Sequence, residues 1–449
     1  MMGIKRVFVA NRGEIAVRII RACRRLGLEV VVGASEVDRG GLAARMADRA
    51  VCIGPGAPAR SYLNVGAVVQ AALGTGCDAI HPGYGFLSEN PALASAAREH
   101  GLRFIGPPAG VIELAGDKLR SRETAAAAGL PVVPGGEVRA LEDALRFAEA
   151  HGYPVLLKAA AGGGGRGIKL AWDRGQLERL FGVALAEAGA AFGDDRLYVE
   201  RFIRRARHVE VQVAADEHGG VVHFGERDCS VQRRYQKIVE EAPAPALDPG
   251  TRAALHAAAV RFAAEIGYRN LGTVEFVVDA RSGEFFFLEM NCRIQVEHPV
   301  TEAITGRDLV ADQIRIAAGE PLEVTQEEVG FEGHAIECRL TAEDAAHGFR
   351  PTPGRITRFS VPNLPGLRVD THCEEGTLVP PYYDSLIAKL ITFANDRSEA
   401  AERMREALAG LRVEGVPTNR DLLSHIIAHP DFAGAAVSTG WLEEAVLAA

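Results

Sequence analysis

The sequence predicts a mixed chain, α/β in its first part and α+β beyond it, on three observations. The opening stretch alternates strand-like and helical patterns. The run from 197 to 340 is dominated by an apolar–polar period of two, and past Phe331 the chain breaks into short strands punctuated by Pro and Gly. At 449 residues it is too long for one ordinary core, so roughly two to four packed units are expected.

The elements follow in order. "KRVFVANRGEIAVRIIRACRRLGLEVVVGAS" reads as strand, loop, amphipathic helix, Gly and strand, a βαβ opening. Its loop "ANRGE" lacks G-x-G-x-x-G and is not a dinucleotide fingerprint. The rhythm continues through "CDAIHPGYGFLSEN" and "GLRFIG", closing a first α/β unit near residue 113. "DKLRSRETAAAAGLPVVPG" predicts a helix stopped by Gly129 and Pro131. "LEDALRFAEAHGYPVLLKAA" predicts another that ends at Gly152, with Pro154 opening a short buried strand. "KAAAGGGGRG", residues 158–167, is then a strand-to-strand loop, with "IKLAW" as the returning strand. Helical pattern closes the chain in "SEAAERMREALAGL" and "NRDLLSHIIAHPDF".

Composition narrows the function. Hydrophobic residues make up 47% and charged residues 24%, the profile of a soluble globular protein of enzyme size. No apolar run reaches 18 residues, so no membrane span is expected, and the early strand leaves no room for a signal peptide. Seven scattered cysteines without C-x-x-C spacing argue against a zinc ribbon and fit a reducing cytoplasm. A formal charge of −9 disfavours nucleic acid as a partner, so an anionic substrate needs a local cluster of cations.

Four consecutive glycines lose more backbone entropy on ordering than other residues would. A flexible linker is the plain explanation, but linkers usually carry Ser and join separate domains. This run lies between strands and is flanked by Lys158 and Arg166, which favours a phosphate lid whose bare backbone presents N–H groups to an anion. No G-K-[ST] follows, as a P-loop requires, and no H-R-D or D-F-G appears, as a protein kinase requires.

Phosphoryl transfer needs cations, oxygen ligands for a metal and a positioned nucleophile, and three strand-like runs offer them. In "HVEVQV", His208, Glu210 and Gln212 share a face; in "LGTVEFVVD", Thr273 and Glu275 do. "FFFLEMNCRIQVEH" places Glu289, Asn291, Arg293, Gln295 and Glu297 at every second position, with Met290, Cys292, Ile294 and Val296 between them. Extended, it would project five polar groups one way. An ordinary solvated face would favour Lys, Thr and Ser instead. Glu289 and Asn291 suit a metal shared with ATP, Arg293 suits a planar oxyanion, and Glu297 suits a base.

"HPGYGFLSEN", "KAAAGGGGRG", "ERDCSVQRRYQKIVEEAPAP" and "EMNCRIQVEHPVTEAITG", in that order, resemble the biotin carboxylases of the ATP-grasp superfamily. The likeness runs from "ANRGEIAVRI" to "PYYDSLIAKL". It implies a Rossmann-like N-terminal domain at 1–113, an ATP-grasp domain at 114–330 with a glycine-rich lid at about 131–205, and a β-rich C-terminal domain at 331–449. It also implies a reaction in which bicarbonate attacks the γ-phosphate of ATP, giving carboxyphosphate, whose CO₂ is taken by the ureido nitrogen of biotin.

The resemblance assigns residues as well. Lys118 and Lys158 would hold ATP phosphates, covered by the amides of Gly163, Gly164 and Gly165; Glu200, His208 and Gln232 would line the adenosine part. Glu275 and Glu289 would bind Mg²⁺ or Mn²⁺, with Asn291 on a second ion. Lys237, Arg293, Gln295 and the Val296 amide would surround bicarbonate, with Glu297 as general base. Arg339 would stabilise the biotin enolate, and Tyr84 would wall the biotin ring.

Each assignment has a structural rival. Lys118 could be a solvated lysine, His208 and His298 core or surface histidines, Tyr84 and Asp384 turn residues, and Cys229 an inert buried thiol. Arg339 has Glu337 as a same-face ion-pair candidate. Three positions depart from the family pattern: Tyr235 replaces a frequent His, Cys292 fills a variable slot, and the lid is one glycine shorter than in some relatives.

None of the five methionines, Met1, Met2, Met46, Met290 and Met404, adjoins a lysine as a biotin attachment turn requires. The resemblance therefore implies a subunit of acetyl-CoA carboxylase, serving fatty acid biosynthesis, or of a related acyl-CoA or pyruvate carboxylase. It would be a cytoplasmic homodimer acting on biotin held by a biotin carboxyl carrier protein and serving a carboxyltransferase subunit. Another ATP-grasp ligase would share the lid and metal carboxylates but not "RIQVEHPVTE" or Arg339. A non-catalytic nucleotide-binding subunit would have lost some metal ligands or the base.

Overall fold

The computed structural model describes residues 3–159, 168–192 and 196–447. Its first sheet is parallel throughout, with β1 (Arg6–Val9), β2 (Glu29–Ser35), β3 (Arg49–Gly54), β4 (Ala79–His81) and β5 (Arg103–Phe104) in the order β3-β2-β1-β4-β5. Both faces are covered, which is why its strands read as continuous apolar runs. Val7, Val9, Val30 and Val32 pack with Ile15 and Ile19 of helix α1 (Gly13–Arg25), while Phe8, Val31 and Ile80 enter the opposite core. Helix α2 (Lys118–Ala127) follows; Asp117 caps it by accepting hydrogen bonds from the amides of Leu119 (3.1 Å) and Arg120 (3.0 Å). It stops before Gly129, whose φ of +76° suits a residue without Cβ.

A small antiparallel sheet comes next: β6 (Gly135–Val138), β7 (Val155–Ala159), β8 (Lys169–Ala171) and β9 (Leu197–Arg201), ordered β6-β9-β7-β8. With α3 (Leu141–His151) and α4 (Arg174–Phe192) it builds its own core around Val138, Leu145, Val155, Leu157 and Leu177. β7 and β8 are paired neighbours, Val155 opposite Ala171, so residues 160–167 join adjacent strands of one sheet. Gly163, Gly164 and Gly165 lie outside the described residues.

The third layer is an eight-stranded antiparallel sheet. Its strands are β10 (Ala206–Ala215), β11 (Val221–Arg233), β12 (Gln236–Ala242), β13 (Asn270–Asp279), β14 (Phe285–Asn291), β15 (His334–Thr341), β16 (Leu367–Thr371) and β17 (Leu386–Ala394), ordered β14-β13-β10-β11-β12-β15-β17-β16. The pairing of β12 with β15 carries this sheet across position 331 without a break.

Two expectations are corrected here. The stretch 197–340 is not all alternation: helix α5 (Pro249–Glu265) interrupts it. Its signals were Asp248 capping the amides of Gly250 and Thr251, Pro249 at the first turn, and Leu255, Ala258, Ala259 and Phe262 at helical spacing. The polar ladder from Glu289 to Glu297 is not one strand either. β14 ends at Asn291, because the next amide, that of Cys292, donates to the Glu89 carboxylate (2.9 Å) and not to a neighbouring strand. Residues 292–297 bend and turn, and α6 (His298–Thr305) starts at once, with Pro299 in its first turn. Helix α7 (Arg397–Gly410) later covers the C-terminal part of the large sheet through Met404 and Leu408.

Candidate active site

The three layers enclose a cavity of about 1030 Å³. Every described candidate residue lines it except Glu297. Lys118, at the first position of α2, is exposed at its edge, and Lys158 on β7 is ion-paired with Glu200 on β9. Gln232 is buried on β11 and His208 on β10. Tyr84, Arg339 and Val296 reach the same space from the N-terminal unit, β15 and the 292–297 turn.

The bend that breaks the ladder brings its polar groups together. Arg293 donates through Nη2 to Asn291 Oδ1 (3.0 Å), through Nη1 to Gln295 Oε1 (2.9 Å) and through Nε to Glu89 Oε2 (2.9 Å). Asn291 Nδ2 and Gln295 Nε2 donate in turn to Glu275 Oε1, at 2.8 and 3.3 Å. Glu275 also faces His208 Nε2 at 2.9 Å.

Behind them Lys237 Nζ is ringed by three carboxylates: Glu210 (2.5 Å), Glu275 (2.9 Å) and Glu297 (2.7 Å). Burial alone would lower the lysine's pKa, but the three anions outweigh it and hold it well above the ordinary value. Glu297 is fully buried between Lys237 and Arg339, the latter donating from Nη2 at 2.9 Å. Burial would raise Glu297, but the two cations hold it well below the usual carboxylate range. It is therefore ionised, able to accept a proton and unable to donate one. Arg339 also donates to Glu240 (2.6 Å), which burial pushes up to about 7 against the pull of that guanidinium.

Glu275 and Glu289 stand opposite each other in the β13–β14 register, with Asn291 opposite Thr273. Burial, then the charge of Glu275, raises the pKa of Glu289. Two repelling carboxylates beside an amide oxygen form a hard-oxygen donor set that a divalent cation would relieve, so the residues fit Mg²⁺ or Mn²⁺.

The structure answers the rival explanations separately. Arg339 pairs with Glu240 and Glu297, not Glu337. Asp384 is exposed and accepts the amide of Leu386 (2.8 Å), as a turn residue does. Cys229 is wholly buried with its pKa pushed well up, first by burial and then by Glu210. His298 is buried, its Nδ1 2.8 Å from the Gln295 carbonyl.

Sequence reasoning gave no role to Glu89, Arg227, Glu240, Glu14 or Lys389, and placed Glu210 on a face without one. Arg227 is fully buried and holds Glu210 at 2.6 Å, with Gln212, Thr301 and Thr273 on its remaining donors. The cross-strand register that sets Glu210 against Arg227 leaves no mark in either strand alone. Glu89 lies within "HPGYGFLSEN", and that motif is its available signal.

Three family models cover the chain: Biotin carboxylase, N-terminal domain, over residues 3–112; Carbamoyl-phosphate synthase L chain, ATP binding domain, over 117–325; and Biotin carboxylase C-terminal domain, over 337–444. The biotin carboxylase of Nostoc sp. is 50% identical over 445 residues, 99% of each chain. This chain belongs to the biotin carboxylase family. Among solved structures, the biotin carboxylase domain dimer of Hydrogenobacter thermophilus 2-oxoglutarate carboxylase, in complex with MgADP, ADP and bicarbonate, is 48% identical. It matches with a TM-score of 0.93 over 99% of this chain and 98% of that one. The Campylobacter jejuni biotin carboxylase–β-γ-ATP complex is 43% identical with a TM-score of 0.94 over 98% of each chain. The fold is thus the Rossmann-like, ATP-grasp and β-rich arrangement of that family.

Proposed function

We propose that this chain carboxylates biotin with bicarbonate at the expense of ATP, giving carboxybiotin, ADP and phosphate, the first half-reaction of a biotin-dependent carboxylase. The observation that carries the proposal is the set of Lys237, Arg293, Arg339 and Glu275 on the wall of the cavity that also holds Lys118, Lys158 and Tyr84, with Glu297 buried directly behind Lys237 and Arg339.

The residue roles in this reading are those the family resemblance implies, supported for the described residues by their place around the cavity. Lys118 and Lys158 hold the phosphates of ATP, under the amides of Gly163, Gly164 and Gly165, while Glu200, His208 and Gln232 line the nucleoside end. Glu275, Glu289 and Asn291 would hold Mg²⁺ or Mn²⁺, which when bound neutralises charge developing on the transferred phosphoryl group. Lys237, Arg293, Gln295 and the Val296 amide surround bicarbonate. Glu297, kept ionised by its two cations, takes the bicarbonate proton as the oxygen attacks the γ-phosphorus, and ADP leaves. Carboxyphosphate then gives CO₂ and phosphate. Biotin, against Tyr84, gives its ureido proton to the phosphate just released; Arg339 stabilises the enolate, whose nitrogen attacks CO₂. Positioning and charge stabilisation do most of this work.

The three-part organisation at 1–113, 114–330 and 331–449 belongs to the same proposal and is supported by the spans of the family models. So do a homodimer, as in the Hydrogenobacter relative, and a partnership with a biotin carrier protein and a carboxyltransferase. Cytoplasmic placement is supported by seven cysteines outside any disulfide, and among the described residues no helix is long and apolar enough to cross a membrane.

The test is ATP cleavage by the purified chain. Cleavage that requires bicarbonate and rises with free biotin is expected. Cleavage indifferent to both would point to another ATP-grasp ligase.

A further inference from the structure

Lys389 is the one lysine among the largest fully buried side chains, and nothing in the reaction described above uses it. It lies on β17 directly opposite Arg339 of β15, one strand further from the cavity centre. Its ammonium donates to the Val296 carbonyl at 2.7 Å and pairs with Glu14 Oε1 at 3.1 Å. Glu14, in the first turn of α1 and itself buried, also accepts the Tyr84 hydroxyl. The neighbouring carboxylate on β16, Asp370, is taken by both arms of Arg368. Lys389 thus reaches two sides of one cavity from beneath without lining it: the 292–297 turn directly, at the Val296 carbonyl, and the Tyr84 hydroxyl through Glu14.

We propose that Lys389 is a positioning residue, fixing the Val296–Glu297 peptide through the Val296 carbonyl and the Tyr84 ring through Glu14, so that one ammonium aligns the bicarbonate and biotin subsites with each other. The proposal rests on the assignment of Val296, Glu297 and Tyr84 above. A charge-assisted hydrogen bond to a carbonyl is a strong local constraint. A group that fixes a turn and an aromatic wall together should govern the encounter of two substrates more than the binding of the third.

A merely structural ion pair is the rival, and replacing both partners separates the two, because neither member of the Lys389–Glu14 pair is left without the other; Asp370 keeps Arg368, and the buried Glu337, raised by burial, loses the Lys389 charge in both variants alike. The experiment compares wild type, Lys389→Met and Glu14→Met/Lys389→Met in the full chain. It reads thermal midpoint, ADP affinity by calorimetry, and KM for bicarbonate, free biotin and ATP. Bicarbonate-dependent, biotin-stimulated ATP cleavage by wild type tests the functional reading independently of Lys389. The double variant is expected to fold, to bind ADP within about twofold of wild type, and to show KM for bicarbonate and for biotin each raised about fivefold or more while KM for ATP barely moves. Restoration of all three KM values in the double variant, an equal rise in all three, or failure of the double variant to fold would each overturn the proposal.

Discussion

Lys237 is where the charges of the site balance: one buried ammonium offsets three carboxylates that would otherwise repel one another. The cations that weigh most on Glu297 are Lys237 and Arg339, with Arg227 behind them. Glu297→Gln keeps the shape and removes the proton acceptor, so turnover is expected to fall about 10²–10⁴-fold with ADP affinity unchanged. Bicarbonate-dependent ATP cleavage beside calorimetric ADP binding measures both, and near-normal turnover would remove Glu297 from the base role. Arg339 is not independent of that carboxylate, which it holds at 2.9 Å. Arg339→Ala is therefore expected to lower ATP cleavage, but to lower biotin carboxylation further, by about tenfold or more beyond it. Equal losses in the two assays would leave Arg339 as a holder of Glu297 and nothing else.

Helix α2 delivers Lys118 to the cavity, and its position depends on the cap that starts it. Asp117→Ala leaves the amides of Leu119 and Arg120 without their side-chain acceptor and is expected to cost about 1 kcal/mol. Because Lys118 is the first helical residue, KM for ATP should rise with it, whereas Asp117→Asn, which keeps an accepting oxygen, should hold both near wild type. Urea midpoints and KM values for the two variants decide this; a stable Asp117→Ala variant with unchanged KM would break the link. Elements of this kind were readable because their signals are local: the Asp–Lys start and Gly129 stop of α2, and the strict alternation of β10 and β13. α5 carried an equally local signature and was masked by the alternating runs on either side. The ladder was misjudged for another reason. Period-two polarity continues through residues 289–297, and only Glu89, some 200 positions earlier, withdraws the Cys292 amide from the sheet.

Contacts of that reach are the part of the molecule that a linear pattern does not carry. Arg18 meets Glu302 across a separation of 284 residues and Glu89 meets Arg293 across 204, and neither partner is marked by its neighbours. Residue identities in the cavity were legible from motifs, while the counter-ions that orient them were not. The same holds for the joint that ties β12 to the C-terminal helices. Glu241, almost wholly buried, accepts from His334 Nε2 (2.9 Å) on β15 and from Arg397 Nε (2.6 Å) and Nη2 (3.1 Å) on α7. Arg397 in turn donates to the carbonyls of Phe432 and Ala433. Burial would raise the Glu241 pKa, but these hydrogen bonds and the Arg397 charge outweigh it and hold it below the ordinary 4.5. A carboxylate lowered on folding stabilises the folded state above its unfolded pKa, and that contribution disappears as pH falls through the folded value. Wild type should therefore exceed Glu241→Gln by about 2 kcal/mol at pH 7, because the variant leaves the partly buried Arg397 without its anion. The gap in thermal midpoint should hold down to about pH 5, narrow below 4.5 as the carboxylate of the unfolded chain takes up its proton, and close as pH falls through the lower value of the folded chain. A gap that stayed constant from pH 7 to the acid limit of the fold would mean that packing around Arg397, and not the Glu241 charge, closes the joint.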